Sequence, residues 1–492
     1  MASMSNTTDI LFINPFPSKA VGINQATVIP PLGAGYIAAL LEREGFNCKI
    51  IDANVQKIDN KELLQEINRI SPSFVGLTLN IITSPPGIEI SQMLKLERQD
   101  IYVIVGGPNP TASPENTLQR SNADLIVLGE GELTTLEIMR TWRNNGKVKK
   151  FPLHHIKGIM FRDQEKEEFV YTPPRERIKD LDSIPPPAYH LFPDLMLYKS
   201  RARTPPVGYL LTTRGCPYQC IYCNKSVFGN KVTMLSPRRV LEDIDFLVKK
   251  YHIRQIDILD DLFTINKNRT NEILDSLIER NYKLDINFQN GIRIEKMDKD
   301  IIKKMKRAGV FKIGIGVESG DPQVLKNIKK KLNLDKVLEV TRWFKNEGIL
   351  VYGFFIFGLP GDTVQTMQRT IDFAKKMDPD VANFGIAIPF VGTELYNIIK
   401  KRGKFLINPE GDIFGGFHSK QVFYELDDLK KELVVKYFDK AYRQFYFRPQ
   451  KALKLLFGAR SLAELKWILE AVFSIITVKL TKIIHPLKKL FL

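Results

Sequence analysis

Short runs of β-branched and aliphatic residues alternate with helical patterns along the first part of the chain. The apolar runs predict five strands, at residues 9–14, 48–53, 74–80, 101–107 and 123–131. Between them, residues 32–45 and 60–70 carry apolar side chains three or four positions apart, the spacing of a helix packed on one face. This alternation predicts an α/β, doubly wound, Rossmann-like parallel sheet that binds ligands at the carboxyl ends of its strands.

The pattern changes after residue 145. Residues 157–174 predict a β-hairpin, and the prolines of "DLDSIPPPAYHLFP" predict an extended linker. From Val207 the alternation resumes with six further strands, at residues 207–213, 255–261, 283–289, 312–319, 351–358 and 381–390. Six βα units predict a partial, TIM-like (β/α)6 barrel, whose site would lie at the C-terminal mouth.

These boundaries divide the chain into four parts. We expect a sheet domain at 1–145, a hairpin and Pro-rich linker at 146–200, a partial barrel at 201–403 and a mainly helical, basic extension at 404–492.

Composition narrows the cellular setting. The 492 residues include only four cysteines, so no secreted disulfide framework is expected and a reducing, cytoplasmic compartment fits better. The N-terminal residues lack the basic and apolar regions of a signal peptide. The apolar run "WILEAVFSIITV" contains Glu470 and is shorter than the ~20 residues that span a bilayer.

Three of the four cysteines, Cys216, Cys220 and Cys223, fall within eight positions. A structural zinc site normally has four ligands, and here no second Cys pair follows, while His190 and His252 are scattered. Burial of all three as inert thiols is disfavoured by their place in a loop after a strand. An iron–sulfur cluster needs thiolates, and three of them would leave one iron of a four-iron cube open to a ligand.

The segment "CPYQCIYC", with an aromatic residue before its last cysteine, resembles the signature of radical S-adenosylmethionine (SAM) enzymes. The resemblance implies a [4Fe-4S] cluster on Cys216, Cys220 and Cys223, with SAM on the open iron. The reduced cluster would cleave SAM to methionine and a 5′-deoxyadenosyl radical. No catalytic residue beyond the cluster is assigned. A flavodoxin- or ferredoxin-type reductant and anaerobic conditions are implied as well.

Three later segments, "DILDDLF", "GIGVESGDPQVL" and "GFFIFGLPGD", resemble the SAM-binding strands of that family. Carried over by position, the SAM-contacting residues are Tyr222, Asp260, Asp261, Glu318, Ser319, Gly353 and Gly358. The alternative for the Asp pair is two solvated carboxylates in a turn. Arg293 belongs either to the mouth of the barrel or to the surface.

The first domain contains no G-x-G-x-x-G at a helix start, which disfavours a dinucleotide. Ahead of such a barrel it resembles a cobalamin (B12)-binding domain. The residues that this resemblance places at cobalamin are Thr78, Asn80, Gly106, Gly107, Gly129 and Glu130. Residues 1–150 contain no histidine, so cobalt would lack a histidine ligand from this domain. The alternative is a domain that has lost the cofactor.

The net charge of +17 indicates an anionic partner. Residues 451–492 hold eight Lys or Arg and two Glu at helical spacing, which favours either peripheral contact with the inner membrane surface or a helix packed on the barrel. No nucleic-acid module is present, so no nucleic acid is expected.

The leading hypothesis is a cobalamin-dependent radical SAM enzyme, related to class B methylases and anaerobic oxidative cyclases. It would modify an unactivated carbon, by C-methylation or ring or C–C bond formation, in a hydrophobic small molecule, lipid or natural product. The alternatives are a radical SAM enzyme without cobalamin, a non-catalytic iron–sulfur electron carrier, and a zinc-stabilised nucleic-acid-binding protein.

Overall fold

The structure, a computed structural model, describes residues 7–16, 28–163, 165–198, 202–409, 420–449 and 451. Its strands are β1 Ile10–Asn14, β2 Cys48–Asp52, β3 Phe74–Thr78, β4 Tyr102–Gly106, β5 Leu125–Val127, β6 Ile159–Asp163, β7 Glu168–Tyr171, β8 Val207–Leu210, β9 Thr213–Arg214, β10 Thr233–Met234, β11 Gln255–Ile258, β12 Asp285–Phe288, β13 Val310–Glu318, β14 Leu350–Phe357, β15 Val381–Ile386, β16 Gly403–Phe405 and β17 Tyr424–Leu426. Its helices are α1 Leu32–Arg43, α2 Ala53–Gln56, α3 Asn60–Ile70, α4 Ser84–Glu97, α5 Pro108–Ala112, α6 Pro114–Ser121, α7 Gly131–Asn144, α8 Pro237–Tyr251, α9 Lys267–Arg280, α10 Lys299–Arg307, α11 Pro322–Asn327, α12 Leu334–Asn346, α13 Val364–Met377, α14 Glu394–Arg402 and α15 Lys431–Tyr446.

The first sheet has the order β2-β1-β3-β4-β5-β6-β7. Its first five strands are parallel, and separate apolar clusters cover its two faces, as in a doubly wound fold. The predicted Rossmann-like sheet is thus confirmed.

The hairpin β6–β7 extends this first sheet. Strand β6 pairs antiparallel with β5, with Ile126 opposite Met160. We expected the hairpin in the segment between the domains, but its buried face, Ile159 to Phe161, completes the edge of the sheet. Pairing between strands distant in sequence depends on tertiary packing, which local patterns do not report.

The second sheet contains the six predicted strands in chain order, β8-β11-β12-β13-β14-β15, all parallel. The βα alternation makes it the predicted partial barrel. Side-chain caps start several of the helices: Ser236, Asn266 and Asp298 each accept a hydrogen bond from the backbone N–H three residues further on.

Helix α15 covers the edge strand β15. The hydroxyl of Tyr446 accepts from the N–H of Ala382 and donates to its carbonyl, at 3.0 and 2.8 Å. The hydroxyl of Tyr442 does the same at Phe384. These tyrosines satisfy backbone groups that an edge strand otherwise leaves open.

The linker connects the two sheets through tyrosines. The hydroxyl of Tyr198 donates to the buried carboxylate of Asp52, at the end of β2, at 2.8 Å. The backbone carbonyl of Tyr198 accepts from the hydroxyl of Tyr209, in β8, at 2.6 Å. Apart from Lys451, the basic segment 451–492 lies outside the described residues, and so does the surface predicted for it. Among the described helices, none is long and apolar enough to cross a membrane.

Candidate active site

One cavity of about 1270 Å³ lies between the two sheets, at the carboxyl ends of their strands. The first domain contributes Thr78, Gly106 and Gly129, and the barrel contributes Asp261 and Glu318. Both sheets therefore present their ligand-binding edges to the same space.

The cysteine loop, residues 215–229, forms one wall of this cavity. Gly215 has φ +87°, and a Cβ there would lie 2.3 Å from the carbonyl oxygen of Lys231. The loop closes where the N–H of Cys216 donates to Gly229, and buried Ile221 fastens its centre by backbone hydrogen bonds to Ile328 and Leu395. Only glycine fits at position 215 without shifting the backbone that places the cysteines.

Cys216, Cys220 and Cys223 all line the cavity. Burial raises the pKa of the Cys216 thiol, and burial together with the charges of Cys216 and Asp261 raises that of Cys223 to about 11. Within the described residues, no three His, Cys, Asp or Glu side chains converge closely enough for a single metal ion. The three thiols face one space, and a bound positive metal centre would be needed to hold them as thiolates.

Glu318 ends β13 in a strained conformation. Its φ is +68°, next to a register shift between β13 and β14, and its carboxylate accepts from Lys330 at 2.8 Å with both side chains at most 10% exposed. Tyr222 lines the cavity beside Glu318 and Cys220, and burial, followed by the charges of these two residues, raises the pKa of Tyr222. A left-handed, non-glycine residue at a cavity wall is a common sign of a functional position.

The two adjacent aspartates point to different places. Asp261 lines the cavity, whereas Asp260 is buried and binds Thr212. Burial raises the pKa of Asp260 to about 6, although Thr212 and Arg269 favour its ionised form.

Three other residues predicted to contact SAM do not line the cavity. The hydroxyl of Ser319 faces Thr370 and accepts from the N–H of Asp321. A Cβ on Gly353 would meet the ring of Phe355, and one on Gly358 would meet Val434 of α15. Ser319 and Gly358 directly follow β13 and β14, whereas Gly353 lies within β14.

Comparison with known proteins identifies the family of this chain. Residues 210–374 match the radical SAM superfamily and residues 18–139 match the B12 binding domain. An uncharacterized methyltransferase of Pyrococcus horikoshii is 31% identical over 450 residues, which cover 91% of this chain and 94% of the relative. The chain belongs to the radical SAM superfamily. It is the form of radical SAM enzyme that carries a B12-binding domain.

Two further similarities agree with this assignment. The anaerobic magnesium-protoporphyrin IX monomethyl ester cyclase of Rubrivivax gelatinosus is 25% identical over 79% of this chain and 69% of its own length. The solved structure of the cobalamin-dependent radical SAM enzyme OxsB, with aqua-cobalamin and SAM bound, has a TM-score of 0.72 at 18% identity, covering 95% of this chain and 71% of that one. The latter establishes a shared fold.

The cofactors of this radical SAM enzyme are a [4Fe-4S] cluster, SAM and cobalamin. The residues present fit the first two. Three thiols share one wall, and a carboxylate, a tyrosine and a lysine lie beside them in the same cavity. Such a set offers thiolate ligands for iron and polar partners for the charged groups of SAM.

The part of the cavity lining that the first domain contributes fits cobalamin. Thr78, Gly106, Gly107, Gly129 and Glu130 all line the cavity. A Cβ on Gly107 would lie 2.5 Å from the carbonyl oxygen of Leu79, so backbone forms this part of the wall. Backbone without side chains allows a large, flat group to approach closely.

Asn80 differs from the other residues predicted for cobalamin. It does not line the cavity, and its carboxamide oxygen accepts from the N–H groups of Ile82 and Thr83. It shapes the turn after β3.

Two arginines complete this description. The sequence left Arg293 between the barrel mouth and the surface; in the structure it lines the cavity and stacks on Tyr218, with its guanidinium carbon 3.8 Å from the ring centroid. Arg214, directly before the cysteine loop, is buried against two glutamates of the first domain. The sequence shows only an arginine directly before the cysteine motif. It does not show the partners of this arginine, because they lie some eighty residues earlier in the chain.

Proposed function

We propose that this enzyme transfers a methyl group to an unactivated carbon of an apolar small molecule. The observation that carries the proposal is the cavity of about 1270 Å³, because its lining includes both the three cysteines of the barrel and the backbone wall of the B12-binding domain. A substrate between these walls is within reach of both cofactor sites, and such proximity is the main contribution that the protein makes to cofactor chemistry.

The residue roles follow from their positions. When bound, the cluster and SAM supply a hydrogen-abstracting 5′-deoxyadenosyl radical and cobalamin supplies a methyl group. Cys216, Cys220 and Cys223 hold the cluster. Asp261 and Glu318 receive the amino and hydroxyl groups of SAM, and Tyr222 lies beside Glu318 in the same wall.

The remaining residues position these groups. Thr78, Gly106, Gly107, Gly129 and Glu130 form the cobalamin wall, and Asn80 holds the turn behind it. Asp260 and Ser319 fix the backbone at the barrel mouth through hydrogen bonds, and Gly353 and Gly358 leave room for the neighbouring side chains of Phe355 and Val434.

An apolar substrate is favoured by the lining of the cavity. Ile292, Ile315 and Phe354 contribute at the barrel side, and Ile37 and Ile104 at the side of the first domain. Apolar walls with few polar groups are typical of sites for hydrophobic small molecules. We extend this to lipids and natural products as the substrate class.

Two partners are included in the proposal. A flavodoxin- or ferredoxin-type protein would donate the electron to the cluster that Cys216, Cys220 and Cys223 hold. Contact of residues 451–492 with a membrane surface rests on their sequence.

The test is an anaerobic assay of 5′-deoxyadenosine and S-adenosylhomocysteine with dithionite as reductant. We expect Cys216→Ala to abolish 5′-deoxyadenosine release, whereas Cys48→Ala, which removes a buried thiol of the first domain, retains it. Retained release in Cys216→Ala would exclude the assigned cluster ligand.

The same assay separates methylation from ring formation, which the similarity to the cyclase makes the second candidate. Methylation consumes a second SAM and yields S-adenosylhomocysteine only when cobalamin is present. If a compound from a lipid extract of the producing cells is consumed without any formation of S-adenosylhomocysteine, methylation is excluded and ring formation is favoured.

A further inference from the structure

A buried ion cluster crosses from the barrel into the first domain. One terminal nitrogen of Arg214 lies 3.0 Å from Oε1 of Glu130, and the other lies 2.7 Å from Oε1 of Glu132. The three side chains are only 4–6% exposed. Charges buried this deeply are tolerated when they are paired with good geometry.

Each end of this cluster adjoins a cofactor wall. Arg214 directly precedes Gly215 and Cys216, so its position sets where the cysteine loop begins. Glu130 directly follows Gly129 at the cobalamin wall and immediately precedes α7, and Glu132 lies in the first turn of that helix. The guanidinium is therefore within two residues of a cluster ligand and bound to a residue adjoining the cobalamin wall.

Two aromatic rings and a backbone group of the linker surround this ion cluster. Its guanidinium carbon lies 5.0 Å from the ring centroid of Tyr36 in α1 and 5.4 Å from that of Phe228 in the cysteine loop. The second oxygen of Glu130 accepts from the backbone N–H of Ile178 in the linker at 2.9 Å. A planar guanidinium joined to two carboxylates has a fixed direction as well as a fixed distance, which a lysine ammonium does not provide.

We propose that Arg214 is a positioning residue that couples cluster loading to cobalamin binding. A loaded cluster fixes the cysteine loop and hence Arg214, and Arg214 then holds Glu130 and the N-terminus of α7 in the arrangement that accepts cobalamin. Linkage requires the reverse effect to be equally large. The inference goes beyond the proposed methyl transfer, since it concerns how the two cofactor sites communicate.

The experiment measures hydroxocobalamin affinity of the full chain with and without a reconstituted cluster. We expect wild-type protein to bind hydroxocobalamin about tenfold more tightly when the cluster is present, within the usual range of site coupling. The ratio of hydroxocobalamin affinity with the cluster to affinity without it should fall to about one in Arg214→Gln and be intermediate in Arg214→Lys. The control is Arg239→Gln, which breaks a buried pair with Asp243 inside one barrel helix and leaves the ratio unchanged.

Two results overturn the inference: a wild-type ratio of one, or an Arg214→Gln ratio equal to that of wild type. If Arg214→Gln does not fold, Glu132→Gln removes one carboxylate at constant size and must lower the ratio. An unchanged ratio there also overturns the inference. Because binding is measured without turnover, these results are independent of whether the enzyme methylates its substrate.

Discussion

The carboxylate of Asp260 binds Thr212 with both of its oxygens, one accepting the backbone N–H and the other the side-chain hydroxyl. Thr212 lies at the end of the first barrel strand, three residues before the cysteine loop begins. The pair therefore braces the backbone that leads into the cluster site.

Asp260→Asn is expected to destabilise the fold, because a carboxamide has one acceptor oxygen and leaves one buried donor of Thr212 without a partner. The loss should be about 1–3 kcal/mol in the free energy of unfolding. Urea unfolding followed by circular dichroism measures it. Asp261→Asn is the control and should keep wild-type stability while weakening SAM binding; the reverse pattern would refute this division of roles.

Asp362 predicts a pH dependence of stability. Burial raises its pKa to about 7, although the N–H groups of Gly358 and Leu359 favour the ionised form. The folded state thus holds this proton more tightly than the unfolded chain, so its stabilising contribution is complete below about pH 4 and is lost as pH rises through 7. The loss from pH 5.5 to 7.5 should be roughly 2 kcal/mol.

Urea titrations at several pH values should therefore give a flatter stability profile for Asp362→Asn over this window. The control is Asp321→Asn. Burial alone would raise the pKa of Asp321, but Arg369 and two helix N–H groups lower it, so its stabilising effect is lost only as pH falls below about 4. An equal slope in wild type and Asp362→Asn would contradict the assignment.

Gly215→Ala is expected to prevent cluster assembly. Its Cβ would meet the carbonyl oxygens of Lys231 at 2.3 Å and of Phe228 at 2.8 Å, so the backbone of the cysteine loop must move. Iron and acid-labile sulfide should fall severalfold below wild type. Gly146→Ala is the control, because Gly146 has a similar left-handed φ of +75° but no neighbouring atom within 4 Å of the added Cβ. This variant should retain the cluster, which separates the steric clash from backbone strain alone.

Tyr222→Phe should weaken SAM binding about tenfold with the cluster intact. The substitution removes a polar hydroxyl next to the charges of Glu318 and Cys220 in the cavity wall, and the loss of a buried polar partner costs about 1–3 kcal/mol. A SAM titration followed by the electron paramagnetic resonance of the reduced cluster measures the affinity. Tyr218→Phe keeps the ring that stacks on Arg293 and should bind SAM as wild type does.

Local patterns were sufficient for the strands of both sheets. The run "FVGLT" in β3 is buried on both faces, and "LVYGFFIF" in β14 is buried or half-buried along its whole length, so their apolar character is continuous and easily recognised. The cysteine spacing likewise predicted the cluster type, because its ligands are close in sequence.

Other features depended on direction or on distant partners. Asp260 and Asp261 are the same residue type at adjacent positions. Only the folded backbone shows that Asp260 faces Thr212 and Asp261 faces the cavity. Gly353 carries no side chain whose polarity would reveal its side of the strand. The pairing of β5 with β6 and the partners of Arg214 are non-local, and no periodicity encodes them.

The ion cluster at Arg214 also has a consequence for how the chain assembles during synthesis. The first sheet is complete at Tyr171, so Glu130 and Glu132 are in place before Arg214 leaves the ribosome. Until then Glu132 must stay hydrated, because its cation is Arg214 of the barrel and burying it unpaired is costly, whereas Glu130 already has Arg177 of the linker at 3.9 Å. Docking of the barrel removes that water, which makes closure of the cavity a late event in folding and leaves the cobalamin wall open to its cofactor beforehand.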